Sequence, residues 1–171
     1  MTLKTCTVRS WEWRDRDALV RHANNKKVSI NLRDRFSYPY TVRDARNWLD
    51  MVVDEKPETS FAIDVAGEAV GGIGFTPQHD VARRSAEIGY WLGEPFWGRG
   101  IATEALVAVT DYAFANFDLC RLYAHVFDWN GASARVLEKA GYVFEGRLRK
   151  SVTKDGQTID QLMYAIIRDK E

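Results

Sequence analysis

The chain has 171 residues, 24 Lys and Arg against 24 Asp and Glu, and 46% hydrophobic residues. That length suits a single domain spanning 1–171, and the zero formal charge argues against a nucleic-acid or anionic-membrane binder, which carries a basic excess. Cys6 and Cys120 build no disulfide framework, and His22, His79 and His125 lack ligand spacing, so no metal is expected and the histidines read as structural or surface residues.

In chain order, Thr5–Trp11 mixes β-branched, Cys and Trp residues and predicts a first strand. Asp15–Asn24 carries Ala18, Leu19 and His22 at helical spacing, and the polar, aromatic Asn31–Tyr40 predicts a loop with Pro39 as breaker. Thr41-x-x-Asp44 is a capping-box pattern ahead of Ala45, Trp48, Leu49, Val52 and Val53, a second helix ending near Lys56-Pro57. Phe61–Val65 and Ala69–Phe75 flank Ala66-Gly67-Glu68 as a hairpin, and Ala86–Leu92 is a further strand. After the Gly93–Gly100 loop, Ile101–Phe117 places apolar residues at 102, 105, 106, 109, 112, 113 and 117, the pattern of an amphipathic helix. Arg121–Val126 predicts a strand, and Ser133–Ala140 a short helix stopped by Gly141. Tyr142–Lys150 and Ile159–Arg168 are two final strands joined by the Lys154-Asp155-Gly156 turn. The order β-α-α-β-β-β-α-β-α-β-β favours an α/β (α+β) fold, a mixed sheet with helices on both faces. No run approaches the roughly 18 apolar residues of a membrane span. The start MTLKTCTVRS lacks the apolar region of a secretory signal, so a cytoplasmic location is expected.

The most informative stretch runs from Trp91 to Ala105, a strand entering a Gly-containing turn that opens the longest helix. Unpaired N–H groups at a helix start, with the positive end of its dipole, make an anion site. Gly98 and Gly100 permit close backbone approach, Ala102 keeps the first turn unobstructed, Arg99 and Thr103 add donors, and Ile101 is counted with them among the cofactor-binding residues. A plain strand-to-helix turn is the alternative. Neither a Gly-Lys-Ser/Thr nor the third glycine of a dinucleotide fingerprint is present.

Downstream stand Asn130-Gly131-Ala132-Ser133 and then Val136 to Gly146. At these residues the sequence resembles the GNAT superfamily of acetyl-CoA-dependent N-acetyltransferases, in particular the RimJ/RimL-like branch that acetylates protein N-termini and other primary amines. The family's pyrophosphate loop, Gln/Arg-x-x-Gly-x-Gly/Ala, is matched as Trp97-x-x-Gly100-x-Ala102, with Trp97 departing from it. Glu87 to Leu92, Asn130-x-x-Ser133 and the ending Met163 to Ile167 resemble the branch as well. The resemblance implies a mostly antiparallel central sheet of about seven strands. It also implies a strand splayed from its neighbour after a bulge, with the pantetheine arm of acetyl-CoA in the gap.

The implied cofactor edge is Tyr90-Trp91-Leu92, whose main chain pairs with the amides of that arm and stabilises the oxyanion of the reaction. Asn130 is a helix N-cap by its own chemistry; the resemblance adds a contact to the cofactor arm, and places Ser133 near the sulfur as candidate acid. Many relatives carry a Tyr acid four residues further on, where Leu137 stands here. The acceptor amine must be neutral to attack: at pH 7 roughly a tenth of an α-amine is, against about one in two thousand for a lysine side chain. Glu87 is the candidate base, or else an ordinary strand carboxylate paired with Arg83 or Arg84. At the spacing of ribosomal-protein members, the proposed base position falls on Val152, which cannot serve. Cys6 and Cys120 lack an evident His partner, which favours direct attack in a ternary complex over a cysteine relay.

Asp34, Phe36 and Tyr38, in the loop after the first helix, are the candidate acceptor contacts, with a solvated loop anchored by aromatics as the alternative. The expected activity is acetyl transfer to a primary amine, foremost a peptide or protein N-terminus, then small amines such as amino acids or polyamines. A non-catalytic acyl-CoA-binding sensor is the alternative from another class, and a homodimer is left open.

Overall fold

Apolar alternation along the strands divides the core into two layers. In β2 (Ser60–Val65), Phe61 and Ile63 enter one layer and Ala62 the other, following the two-residue period of a strand. The first layer packs under α4 (Ile101–Asn116) and α5 (Gly131–Lys139), the second under α1 (Arg16–Ala23) and α3 (Val42–Val52). Helices therefore cover both faces of the sheet. The computed structural model describes residues 1–168.

The remaining elements are β1 (Thr7–Ser10), α2 (Lys26–Ser29), β3 (Glu68–Pro77), β4 (Ser85–Leu92), β5 (Arg121–Phe127), β6 (Val143–Lys154) and β7 (Gln157–Ile167). Seven strands lie in the order β1-β2-β3-β4-β5-β7-β6, antiparallel except for β4 with β5. Besides three single-turn 3-10 helices, the predicted order gains one α-helix, α2, a four-residue element whose Asn25 cap accepts the Lys27 N–H at 2.9 Å. Helix α3 opens with the Thr41/Asp44 capping box but stops at Val52, short of Lys56, because Val53 is extended and Asp54 has φ +69°.

Helix α4 is less one-sided than its spacing predicts. Ile101, Thr110 and Phe114 join Ala105, Leu106, Val109 and Ala113 in the core, and Thr110 is satisfied there by the Tyr142 hydroxyl at 2.7 Å. A helix buried over so much of its circumference fixes the layer beneath it, including the strand ends that frame the site.

The splay implied by the resemblance is present, but the bulge lies elsewhere. The register of β4 on β3 is unbroken from Gly71↔Leu92 to Pro77↔Ala86. The shift falls instead between Ile63 and Asp64, where Val70 is the extra residue of β3. Strand β4 pairs with β5 only at Ser85↔Arg121, Ala86↔Leu122 and Glu87↔Tyr123, and beyond Glu87 the two strands part.

Leu106 is fully buried under the sheet. Leu106→Ala should cost about 2–5 kcal/mol. In urea denaturation the midpoint should fall with an unchanged slope; a shift under about 1 kcal/mol would remove Leu106 from the core assigned to it.

Candidate active site

Where β4 and β5 part, the main chain of β4 is left without a partner strand. Two bonds fix which of its groups face the gap: Gln78 N–H donates to Ser85 O at 2.9 Å, and Gly93 N–H to Val70 O at 2.8 Å. In an antiparallel pair the bonding alternates, so Ser85, Glu87, Gly89, Trp91 and Gly93 spend their main chain on β3. From the Ile88 carbonyl onward, the main chain of Ile88, Tyr90 and Leu92 faces the gap. Of the expected edge Tyr90-Trp91-Leu92, Trp91 thus offers no main-chain group to a ligand there. Its ring instead meets Phe36 on the opposite face of the sheet, 5.4 Å between centroids. The Leu92 carbonyl is taken by the Trp97 indole N–H at 2.7 Å. That bond gives a physical role to the residue that departs from the family's Gln/Arg: it pins the loop to the end of β4.

Past Trp97 the chain turns with Gly98 at φ +73° and Gly100 at φ +79°, a backbone that only glycine adopts without strain. A Cβ added at either would meet nothing within 4 Å. The space in front of the loop is open, and Gly100 starts α4 with no side-chain cap. The N–H groups of 98 to 102 donate to no acceptor among the described residues. Orphan donors at the positive end of a helix dipole, facing an open cradle, fit a pyrophosphate. Arg99 is exposed beside them, over the Phe96 ring at 5.5 Å.

Across the gap, the Asn130 side chain accepts the Ser133 N–H at 3.2 Å, so the N-cap chemistry expected of it is present. The Ser133 hydroxyl lies 2.9 Å from that of Tyr90, which also donates to Ser133 O at 3.1 Å. Burial pushes the Tyr90 phenol well above its ordinary range, so it stays protonated. Leu137, at the position where the resemblance implies a Tyr acid, is fully buried in the core.

On the opposite face of the sheet, Arg33, Asp34, Glu87, His125, Val152 and Lys154 line a cleft of about 410 Å³. Glu87 does not pair with Arg83 or Arg84; its Oε1 accepts from Arg33 Nη2 and lies 3.2 Å from His125 Nδ1. The His125 hydrogen bond, helped by Arg33 and opposed by burial, holds the Glu87 carboxyl at about 2, below its ordinary 4.5. Asp34 is bonded at 2.8 Å to the buried Lys154. Phe36 packs between Trp91 and Tyr40 rather than lining the cleft, and Tyr38 sits on the surface with Lys26 over its ring. Among the acceptor candidates only Asp34 therefore reaches the cleft.

Arg33, His125 and Lys154 were not singled out from the sequence. One signal was available for His125. Leu122, Ala124 and Val126 alternate with Tyr123, His125 and Phe127, which puts His125 on the face Glu87 shares. Among the described residues no cluster of His, Cys, Asp or Glu fits a metal, and no helix is long and apolar enough to cross a membrane.

Residues 6–143 match the family model described as an acetyltransferase (GNAT) domain. The uncharacterized N-acetyltransferase p20 of Bacillus licheniformis is 32% identical over 168 residues, 95% of this chain and 92% of the relative. Among solved structures, RimL, a ribosomal alpha-N-protein acetyltransferase in complex with coenzyme A, superposes with a TM-score of 0.85 at 24% identity. That alignment covers 98% of this chain and 96% of RimL. Spermidine N-acetyltransferase from Vibrio cholerae, in complex with CoA and spermine, gives 0.78 at 22% identity and 95% of each chain.

Two outcomes test this geometry. Acetyl-CoA at 100 times its Kd should stabilise the fold by about 2.7 kcal/mol, and Ala102→Glu, which places a carboxylate before the cradle without opposing the helix dipole, should abolish the melting shift. A normal shift in that variant would place the pyrophosphate elsewhere. Because the folded value for Glu87 lies below the unfolded one, its stabilisation is complete above about 4.5 and is lost as pH falls toward 2. The stability gap between wild type and Glu87→Gln, followed by urea denaturation, should accordingly narrow across that window.

Proposed function

The chain belongs to the GNAT acetyltransferase family, and on that premise we propose that it uses acetyl-CoA to acetylate the α-amine of a peptide or protein N-terminus, as the RimJ/RimL-like branch does. The observation that carries this reading is the charge balance of the acceptor cleft. Both of its carboxylates are consumed by cations, Glu87 by Arg33 and Asp34 by Lys154. A polyamine brings several positive charges and needs a surplus of carboxylates to offset their desolvation. An α-amine brings one, and roughly a tenth of it is already neutral at pH 7.

In this reading the pyrophosphate sits on the 98–103 cradle, with Ile101 and Thr103 in the first helical turn, and the pantetheine amides pair with the Ile88 carbonyl, the main chain of Tyr90 and the Leu92 N–H. Asn130 bounds the arm from α5. The amine attacks the thioester directly, and a main-chain N–H of β4 takes the developing oxyanion. The C–S bond breaks with its electron pair on sulfur, the amine nitrogen gives up one proton to solvent, and the Ser133 hydroxyl, held by its hydrogen bond with Tyr90, passes a proton from solvent to the thiolate, so that both hydroxyls end protonated. A second reading, a compact small amine, is favoured by the cleft's volume, about 410 Å³, the size of a small-molecule site. The likeness to the two solved structures is one of fold and does not choose between these acceptors.

Thiol release from acetyl-CoA, measured against a panel of N-terminal peptides, amino acids and spermidine at pH 7, tests the choice. Peptides should exceed spermidine in kcat/KM by at least about tenfold, about 1.4 kcal/mol of transition-state discrimination. Spermidine as the best acceptor would overturn the peptide reading.

A further inference from the structure

The expected base, Glu87, is placed where it cannot readily take a proton. One of its oxygens already accepts from two cationic or polar donors, Arg33 Nη2 and the His125 ring. A carboxylate so satisfied holds its negative charge tightly, which makes it a good anchor and a poor proton acceptor. The group it anchors is the imidazole. His125 is the first residue on its face of β5 beyond the last paired position, Glu87↔Tyr123, so its ring stands at the vertex where β4 and β5 separate. Its Nδ1 is directed to Glu87, its ring edge packs on Tyr123 at 5.5 Å between centroids, and it lines the acceptor cleft. No protein group among the described residues bonds to Nε2.

We propose that His125, held by Glu87 and Arg33, is the group that takes the proton from the attacking amine. This rests on the reading that the amine enters the cleft on this face. A carboxylate accepting from Nδ1–H fixes the tautomer in which Nε2 carries the lone pair, and imidazole is the side chain suited to exchanging protons near neutral pH. As the nitrogen forms its bond to the acetyl carbon, it becomes positively charged and gives one proton to Nε2. The C–S bond breaks toward sulfur, and the imidazolium, stabilised by the Glu87 charge, returns its proton to solvent. Glu87 and Arg33 are positioning residues in this scheme. The other charged groups facing the cleft, Asp34 and Lys154, are bonded to each other and add little net field at the ring.

The test uses the full chain and whichever amine of the panel turns over fastest. His125→Gln keeps a donor for Glu87 but cannot accept the proton, and should lower kcat by about 10²–10⁴ while leaving the melting shift with acetyl-CoA intact. His125→Ala should lose as much, and imidazole added to the buffer should restore its kcat by at least about tenfold, which a structural role for the ring would not allow. Glu87→Gln should lose less than His125→Gln, because the imidazole remains. Retention of more than about a third of kcat by a folded His125→Gln overturns the proposal, as does a His125→Ala that imidazole fails to rescue. A loss in Glu87→Gln equal to or larger than in His125→Gln returns the base to Glu87 and overturns it too. If His125→Ala does not fold, the His125→Gln and Glu87→Gln comparison decides alone. A chain that turns over no amine defeats the acceptor reading and this proposal together, whereas turnover untouched by His125→Gln defeats this proposal only.

Discussion

Everything in this site depends on three residue pairs. β4 and β5 form the one parallel contact of the sheet, and it ends at Glu87↔Tyr123. Had the ladder continued, the Ile88 carbonyl, the main chain of Tyr90 and the Leu92 N–H would be spent on β5, and no cofactor could reach the middle of the sheet. Because it stops, a polar edge lies within the fold, and unpaired backbone groups in such a place call for a partner. The same parting sets Tyr90 and Ser133 on one side of the opening and Glu87 and His125 on the other. The gap is thus a passage between the two layers, with a buried hydroxyl pair facing one way and a carboxylate–imidazole pair the other.

The two sides differ in how they are held. On the cofactor side the recognition elements are main chain: a glycine turn, a helix start and a strand edge, fixed by the packing of α4 against the core. Such groups carry no side-chain signature beyond the glycines that shape them. On the acceptor side the elements are charged side chains arranged in opposite pairs. Buried or half-buried charges persist only when paired, and the pairs also set the chemistry, since a carboxylate tied up by a guanidinium and an imidazole no longer behaves as a free base.

That difference explains what the sequence made legible. The loop from Trp97 to Ala102, helix α4, the Thr41/Asp44 cap and the Asp155-Gly156 turn are local signals, each written within a few residues, and their elements appear where they are expected. Helix ends and strand limits moved by a few residues where local backbone intervened, as at Asp54. The phase of β4 was not legible, because which carbonyls face the gap depends on its pairing with β3, so Trp91 could not be told from Tyr90 and Leu92. The partners of Glu87 were the least accessible. Arg33 lies 54 residues before it and His125 38 after it, joined only by the folded sheet. Tyr38 read as a binding aromatic because a loop's composition does not say which of its rings turns inward.

The sheet order also has a consequence for synthesis. β7, which leaves the ribosome after the six other strands of this sheet, is an inner strand, inserted between β5 and β6. Its hairpin with β6 carries Lys154, which reaches back 120 residues to Asp34 and closes the acceptor cleft. A nascent chain cut short before this hairpin holds the glycine cradle and α4 but lacks that wall, and it exposes the edge of β5. Vectorial emergence therefore assembles the cofactor side from one contiguous stretch and completes the acceptor side last, once the most distant contact of the site is made.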